Sequence, residues 1–255
     1  MMAPVVIGGV AGSGTRAYRA VAVEAGVEML GAPWLVRALK GRDEVWYHDN
    51  LLLRRFYYSW AIKGLRDDDT PRHEVLEALA LKSMLVATGP FRRSGRWGWK
   101  NPLTLLSLPI IARSFPDAYF VHVVRDGRDV ALGGPHTLLE RLFLLTEEQQ
   151  EDPFEVQRGH YWSVANQKGA AEAQELFGDR YLLSRWEDLM SDPESEVRRI
   201  HALLGVDDDL ARGRAVAQIS PQPSQGRWRE FPAEQVASVQ EACQPLLGEL
   251  GYSLT

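Results

Sequence analysis

A glycine-rich stretch near the start of the chain is the first place where residue type and spacing suggest chemistry: Gly8-Gly9-Val10-Ala11-Gly12-Ser13-Gly14. Backbone N–H groups in such a turn, at the start of a helix, have no helical partners and form a cradle for an anion. Ser13 and Thr15 add hydroxyl donors, and Arg16 adds a positive charge. The alternative is a loop that is rich in glycine only because the turn from strand to helix is tight.

Two nucleotide-binding patterns overlap this loop. A Walker A motif counted from Gly9 reaches its second glycine at Gly14, but Thr15 stands where the lysine belongs and Arg16 where the hydroxyl belongs. An ordinary nucleotide triphosphatase is therefore disfavoured. Residues 12–17 match the dinucleotide pattern G-x-G-x-x-A, although Glu28 comes early for the expected acidic residue. An NAD(P)-dependent oxidoreductase and a non-catalytic nucleotide-binding module both remain alternatives.

A second group of charged residues follows an apolar run in the middle of the chain. Residues 118–124 read as a buried strand, and Arg125-Asp126-Gly127-Arg128-Asp129 comes directly after it. The guanidinium of Arg125 suits phosphate oxygens in a bidentate arrangement. Its alternative role is a structural salt bridge to Asp126 or Asp129. Lys100 stands in a similar position, because residues 97–100 form another short strand candidate.

The elements that must position these residues are predicted from hydrophobic runs and helix-ending signals. Residues 4–8 are β-branched and precede a helix over 15–25, which Gly26 ends as a left-handed cap. Two strand-loop-helix units favour a parallel α/β sheet of about five strands. Three further elements are predicted downstream: a strand at 181–183, a helix opened by Asp192-Pro193 and ended by Gly205, and a last helix over about 232–247.

Length, composition and net charge limit the classes of protein to which this chain can belong. The chain has 255 residues, 45% hydrophobic and 25% charged, which predicts one soluble domain over residues 1–255. A net charge of −5 and a pI of about 5.7 argue against non-specific binding to nucleic acid or an anionic membrane, so any anion site is local. Cys243 is the only cysteine, which fits a reducing cytoplasm. No apolar run reaches the ~18 residues of a membrane helix, and we interpret the first residues as a strand.

Five motifs stand in chain order along the sequence, at residues 12–15, 99–102, 115–131, 185–193 and 226–229. Together they resemble the PAPS-dependent sulfotransferase family, whose donor is adenosine 3′-phosphate 5′-phosphosulfate, whereas residues 31–95 match that family poorly. The stretch around Lys100 and Arg125 is most like the bacterial small-molecule and tyrosylprotein branches. The resemblance implies a P-loop-type three-layer fold, with a central parallel sheet flanked by helices and the donor lying across the carboxyl ends of the strands.

The resemblance also implies roles for individual residues. Residues 12–16 would hold the 5′-phosphosulfate, and Arg125 would hold the 3′-phosphate. Lys100 would neutralise the charge that develops on the leaving phosphate, with Arg16 sharing the work. No metal is expected, because the sulfuryl group carries less charge than a phosphoryl group and protein cations suffice. The product would be adenosine 3′,5′-bisphosphate (PAP).

The chain departs from the family pattern at the donor site. The serine that commonly follows the arginine is Gly133, which leaves the N–H groups of Gly133 and Gly134 as substitutes. Trp186 stands where many relatives have a tyrosine near adenine, and either contact with the base or core packing would explain it. Arg227 is a candidate second ligand of the 3′-phosphate, with a solvated surface arginine as the alternative.

The acceptor side is the least specified by the sequence. A base must take the proton of the acceptor hydroxyl. The glutamate of the tyrosylprotein branch has no counterpart at residues 29–32, and His48 and Asp49 are the best candidates because aromatic residues surround them. His122 is expected in the core, and nothing specifies His136. The expected acceptor is a small-molecule hydroxyl, or as second choice an amine; its identity and the oligomeric state are not predicted.

Overall fold

The central sheet of the molecule is parallel throughout. The computed structural model describes residues 3–29, 95–133, 144–220 and 223–254. Within these residues five strands form one sheet in the order β2-β3-β1-β4-β5, and every neighbouring pair is parallel. The strands are β1 (Val5–Gly8), β2 (Glu28–Met29), β3 (Trp97–Lys100), β4 (Tyr119–Val124) and β5 (Tyr181–Arg185). The predicted parallel α/β fold is confirmed.

Strand β1 is the centre of this sheet. It pairs with β3 on one side and with β4 on the other, and all four of its residues are buried. Such continuous burial explains its β-branched sequence, because a strand covered on both faces needs apolar side chains in succession. The chain places β2 and β3 on one side of β1 and β4 and β5 on the other. Open sheets of this kind bind ligands at the carboxyl end of the strand where the order reverses.

Helices cover both faces of the sheet. The α-helices of the described residues are α1 (Thr15–Glu24), α2 (Leu108–Ser114), α3 (Gly127–Leu132), α4 (Glu147–Gln150), α5 (Phe154–Phe177), α6 (Trp186–Ser191), α7 (Pro193–Leu203), α8 (Asp209–Ala217), α9 (Ala233–Ala242) and α10 (Leu246–Glu249). Short 3₁₀ turns span Pro102–Leu106, Gly178–Arg180 and Arg227–Glu230. Side chains alternate along β1: Val6 packs beneath α5, whereas Val5 and Ile7 pack beneath α1 and α7.

Most predicted helix ends agree with the structure, but the last helix does not. Helix α1 ends next to Gly26, and α7 begins at Pro193 and ends before Gly205; both glycines have positive φ angles. The helix expected over 232–247 is two helices, α9 and α10. Pro245 separates them, because proline lacks the N–H that an α-helix requires and its ring disfavours a helical preceding residue.

His122 lies on β4 and is fully buried, as expected for a core residue. Its Nε2 is 3.0 Å from the Asn166 side-chain oxygen, and its Nδ1 is 3.1 Å from the Tyr181 hydroxyl. The Asn166 amide nitrogen donates to the Trp162 carbonyl, so the Asn166 oxygen accepts from Nε2. Burial lowers the pKa of His122 to about 4.

We expect this histidine to make the fold less stable in acid. The unfolded chain takes up the proton near pH 6.5, but the folded chain only near pH 4, so the free energy of unfolding falls as the pH falls between these values. The shift corresponds to about 3 kcal/mol. Denaturant unfolding at pH 7 and pH 4 should show that the wild type loses about this much more stability than His122→Gln. Equal losses in the two proteins would contradict the assignment.

Candidate active site

The residues singled out in the sequence meet at the carboxyl edge of the sheet. The glycine loop follows β1, Lys100 is the last residue of β3, Arg125 directly follows β4, and Trp186 directly follows β5. One cavity of about 760 Å³ lies above these strand ends. Seven of the predicted residues line it: Gly12, Gly14, Thr15, Arg16, Lys100, Arg125 and Trp186.

Gly12 and Gly14 of the glycine loop line this cavity together with Thr15 and Arg16, whereas Ser13 is not among its lining residues. Helix α1 begins at Thr15 without a side-chain cap on its first turn, so the positive end of the helix dipole faces the cavity. Ser13 is 1% exposed, and its hydroxyl has no hydrogen-bond partner among the described residues. A buried hydroxyl without a partner costs free energy. This loop therefore fits an incoming anion that supplies the missing acceptor.

The Trp186 indole packs directly on the loop. A Cβ atom added at Gly14 would lie 2.2 Å from Trp186 Cδ1, and the φ angle of Gly14 is +80°. Any side chain at Gly14 would therefore clash with the indole and strain the backbone. Trp186 is both a wall of the cavity and a packing partner of the loop, so both roles proposed for its ring are compatible with its position.

We expect Gly14→Ala to lower the free energy of unfolding more than a glycine substitution just beyond the other end of α1. Gly26 is the matched control, because its φ angle is +79° and an added Cβ would meet nothing within 4 Å. Gly26→Ala should lower the free energy of unfolding by about 1 kcal/mol, and Gly14→Ala by about 1–3 kcal/mol more. Urea unfolding measures both. Equal losses would mean that the contact with Trp186 does not constrain the loop.

Arg125 is held in place by three neighbours. Its Nη2 forms an ion pair with Asp129 at 3.1 Å and donates to the Ser224 carbonyl, and its guanidinium lies 4.4 Å from the centre of the Trp186 ring. The side chain is therefore a structural partner of Asp129, as the alternative interpretation expected. However, the buried Nε–H has no hydrogen-bond partner among the described residues.

A second, smaller cavity of about 240 Å³ adjoins the first. The two share Gly12, Arg125 and Ser224, and the smaller one is also lined by Gly133 and Arg227. The structure thus brings together the three residues expected around a 3′-phosphate. Arg227 is 53% exposed and lies 3.6 Å from Glu230, an ion pair that contributes little at the surface. The roles of all three residues stay predictions.

Charge in the two cavities is strongly positive although the chain is acidic overall. Among the lining residues that the structure describes, only Asp129 is negative, and it is paired with Arg125. The cations are Arg16, Lys100, Arg125 and Arg227. This arrangement concentrates an anion-binding field at one edge of the sheet.

Sequence reasoning missed one wall of the larger cavity. Residues 218–220, directly after α8, line it together with Met190 and Ser224. The serines and prolines at 220–224 predict a loop but do not indicate which edge of the sheet that loop reaches. Asp129 was considered only as an ion-pair partner, although it lines the smaller cavity.

The candidate catalytic bases lie outside the described residues. His48 and Asp49 fall outside the described residues, as do Gly134 and His136. In the part of the chain that the structure describes, no three His, Cys, Asp or Glu side chains cluster as metal ligands would. None of the described helices combines the length and hydrophobicity needed to cross a membrane.

Fold and site together define a class: a parallel α/β protein with a glycine loop and basic side chains around a cavity at its strand ends. The model of the Sulfotransferase family matches residues 4–209. The chain therefore belongs to the sulfotransferase family, and the resemblance seen in the sequence is confirmed.

Individual relatives agree with this assignment. The chain is 31% identical over 121 residues to omega-hydroxy-beta-dihydromenaquinone-9 sulfotransferase Stf3 of Mycobacterium bovis, covering 46% of this chain and 31% of that protein. The chain spans less than half the length of the curated relatives that it matches.

Solved structures share the fold. Sulfotransferase STF9 from Mycobacterium avium aligns with a TM-score of 0.60 at 14% identity, over 98% of this chain and 77% of that one. A retinol dehydratase, solved in complex with androsterone and inactive cofactor PAP, aligns with a TM-score of 0.50 at 14% identity, over 100% and 83% of the two chains. These likenesses confirm the P-loop-type α/β fold.

Proposed function

We propose that this protein transfers a sulfuryl group from PAPS to a hydroxyl of a small-molecule acceptor. One observation supports the proposal: two cavities lined by basic side chains, one of them beside the glycine loop, share Gly12, Arg125 and Ser224. A ligand with phosphate groups at both ends of one nucleoside fits this pair of sites. Family membership and the PAP bound to the retinol dehydratase support the same donor.

The residues present fit this donor. The orphaned Ser13 hydroxyl, Thr15 and the start of α1 would hold the 5′-phosphosulfate, and the unpartnered Nε–H of Arg125 would donate to the 3′-phosphate. Gly133 and Arg227 line the same smaller cavity and would complete the 3′ subsite. The Trp186 indole, with Met190 and Ile219, forms an apolar wall suited to the adenine ring.

PAPS supplies the activated sulfuryl group when bound. In transfer, the acceptor oxygen forms a bond to sulfur, the bond from sulfur to the 5′-phosphate oxygen breaks, and the electron pair leaves with PAP. Lys100 lies at the end of β3 and lines the cavity with the loop, so it is placed to stabilise negative charge developing on the 5′-phosphate. Arg16 lines the same cavity and shares this role. We assign to His48, which Asp49 follows in the sequence, the role of the base that takes the proton of the acceptor hydroxyl.

The acceptor and the cellular location belong to the same proposal. The similarity to a sulfotransferase of a menaquinone derivative supports a small-molecule hydroxyl as the acceptor. The single cysteine, which is buried and unpaired, supports a cytoplasmic location. The joined cavities favour this function over an NAD(P)-dependent oxidoreductase, which has no use for Arg125.

A thermal-shift panel with PAP, NADP and ATP tests the donor. A ligand at one hundred times its dissociation constant stabilises the folded state by ~2.7 kcal/mol. For a domain of this size, PAP should raise the midpoint by roughly 5–11 °C, and NADP and ATP should raise it less. A larger shift with NADP would favour the oxidoreductase. A shift with PAP but no turnover of PAPS with any acceptor would favour a non-catalytic binding module.

A further inference from the structure

The C-terminal part of the chain forms one wall of the smaller cavity. We call residues 223–231 the strap. Ser224 of the strap lines both cavities, and Arg227, Trp228 and Phe231 line the smaller one. The Trp228 indole is buried between two guanidiniums, with Arg128 at 3.8 Å and Arg229 at 4.3 Å from its ring centre. The strap therefore packs closely on α3.

Asp129 joins the strap to Arg125. One carboxylate oxygen accepts the N–H of Gly226 at 2.7 Å and faces Arg125 Nη2 at 3.1 Å. The other oxygen accepts the N–H of Trp228 at 3.0 Å. The side chain is 2% exposed, so these donors satisfy a buried charge that would otherwise be costly. Arg125 in turn donates to the Ser224 carbonyl, which closes a ring of contacts between α3 and the strap.

A carboxylate beside an anion subsite needs this neutralisation. Without Arg125 and the two backbone donors, the charge of Asp129 would repel a phosphate in the same cavity. With them, the carboxylate fixes the guanidinium and the strap at the two sides of the space where the phosphate binds. These contacts use Nη2 and leave the buried Nε–H of Arg125 without a partner among the described residues.

We propose that Asp129 is a positioning residue for the donor: it locks Arg125 and the strap together as the walls of the 3′-phosphate subsite. The inference rests on the proposed function and deepens it, because it makes the affinity for the 3′-phosphate depend on the position of one side chain. Asp129 acts through Arg125 and the strap and does not itself contact the ligand.

The variant Asp129→Asn tests this inference. An amide has one acceptor oxygen, so in either orientation its NH₂ group faces at least one of the N–H donors that the carboxylate accepts. We expect binding of PAP, measured by isothermal titration calorimetry, to weaken at least tenfold. Binding of adenosine 5′-phosphate, which lacks the 3′-phosphate, should change less than twofold. An equal loss for both nucleotides, or no loss for either, would overturn the inference.

Glu196→Gln is the matched control. Glu196 is also a buried carboxylate in an ion pair, with Arg199 at 2.6 Å, and it accepts from Ser184 on the far side of the sheet from the strap. Its loss should change neither nucleotide's affinity more than twofold. If Glu196→Gln also weakened the binding of PAP selectively, the effect of Asp129→Asn would be a general effect of removing a buried charge. The inference would then fail.

A measurement on the wild type covers the case in which Asp129→Asn does not fold. Hydrogen exchange of the strap should slow on addition of PAP and stay unchanged with adenosine 5′-phosphate. Unchanged exchange with PAP, at a concentration that saturates the protein, would contradict the inference. If the wild type binds PAP no more tightly than adenosine 5′-phosphate, the proposed donor itself is wrong, which is a different outcome from a failed role for Asp129.

Discussion

Replacing Lys100 with alanine should lower kcat about 100- to 1,000-fold and leave the affinity for PAP within about threefold. Removing one preorganised group that stabilises charge in a transition state typically has an effect of this size on kcat. The charge on the leaving phosphate develops only during transfer, so ground-state binding depends on Lys100 much less. Release of PAP from PAPS, with an acceptor that the wild type sulfates or with water, measures the rate.

Two further variants make this result specific. Lys168→Ala removes a lysine from the exposed outer side of α5, where the side chain is 57% exposed, and kcat should stay unchanged. Lys100→Arg keeps the positive charge at the end of β3 and should recover part of the lost rate. If Lys100→Ala left kcat within twofold of the wild type, the electrostatic role of this lysine would be wrong.

Arg125→Ala should weaken PAP binding by about 10- to 100-fold. A charge-assisted hydrogen bond contributes ~1.5–3 kcal/mol, and each 1.4 kcal/mol is one decade in affinity. Calorimetric titration with PAP and with adenosine 5′-phosphate should show the loss for PAP only, because only PAP carries the phosphate that we assign to Arg125.

The experiment on Arg125 must separate an effect on PAP binding from an effect on folding, because Arg125 also neutralises Asp129. Arg125→Lys keeps a cation near Asp129 but loses the planar guanidinium, so it should fold like the wild type and still bind PAP several-fold more weakly. Equal weakening of both nucleotides in Arg125→Ala would mean that the arginine supports the fold and does not hold the 3′-phosphate.

The parts of the site that lie next to strand ends were predictable from the sequence. An apolar run followed by glycine or charge marks the end of a buried strand, and parallel strands bring such ends to one edge. In the structure, the glycine loop, Lys100 and Arg125 line one cavity, as this pattern predicts. The pattern depends only on short-range sequence signals and on the handedness of parallel connections, whereas Trp186 was predicted from the family resemblance.

The parts that depend on distant contacts were not predictable. Asp129 accepts from Gly226 and Trp228, 97 and 99 residues further along the chain, and no local pattern connects them. The wall formed by residues 218–220 was missed for the same reason. The last helix was extended too far because its apolar spacing continues across Pro245. The single domain over residues 1–255, the roles of the site residues and the base His48 stay predictions.

A crystal structure with PAP tests the central claim most directly. We expect the 5′-phosphate beside Ser13 and the first turn of α1, and the 3′-phosphate within hydrogen-bond distance of Arg125 Nε, between Gly133 and the strap. Density for the nucleotide elsewhere, with the turn at Ser13 empty or Arg125 turned away from the phosphate, would contradict the whole account.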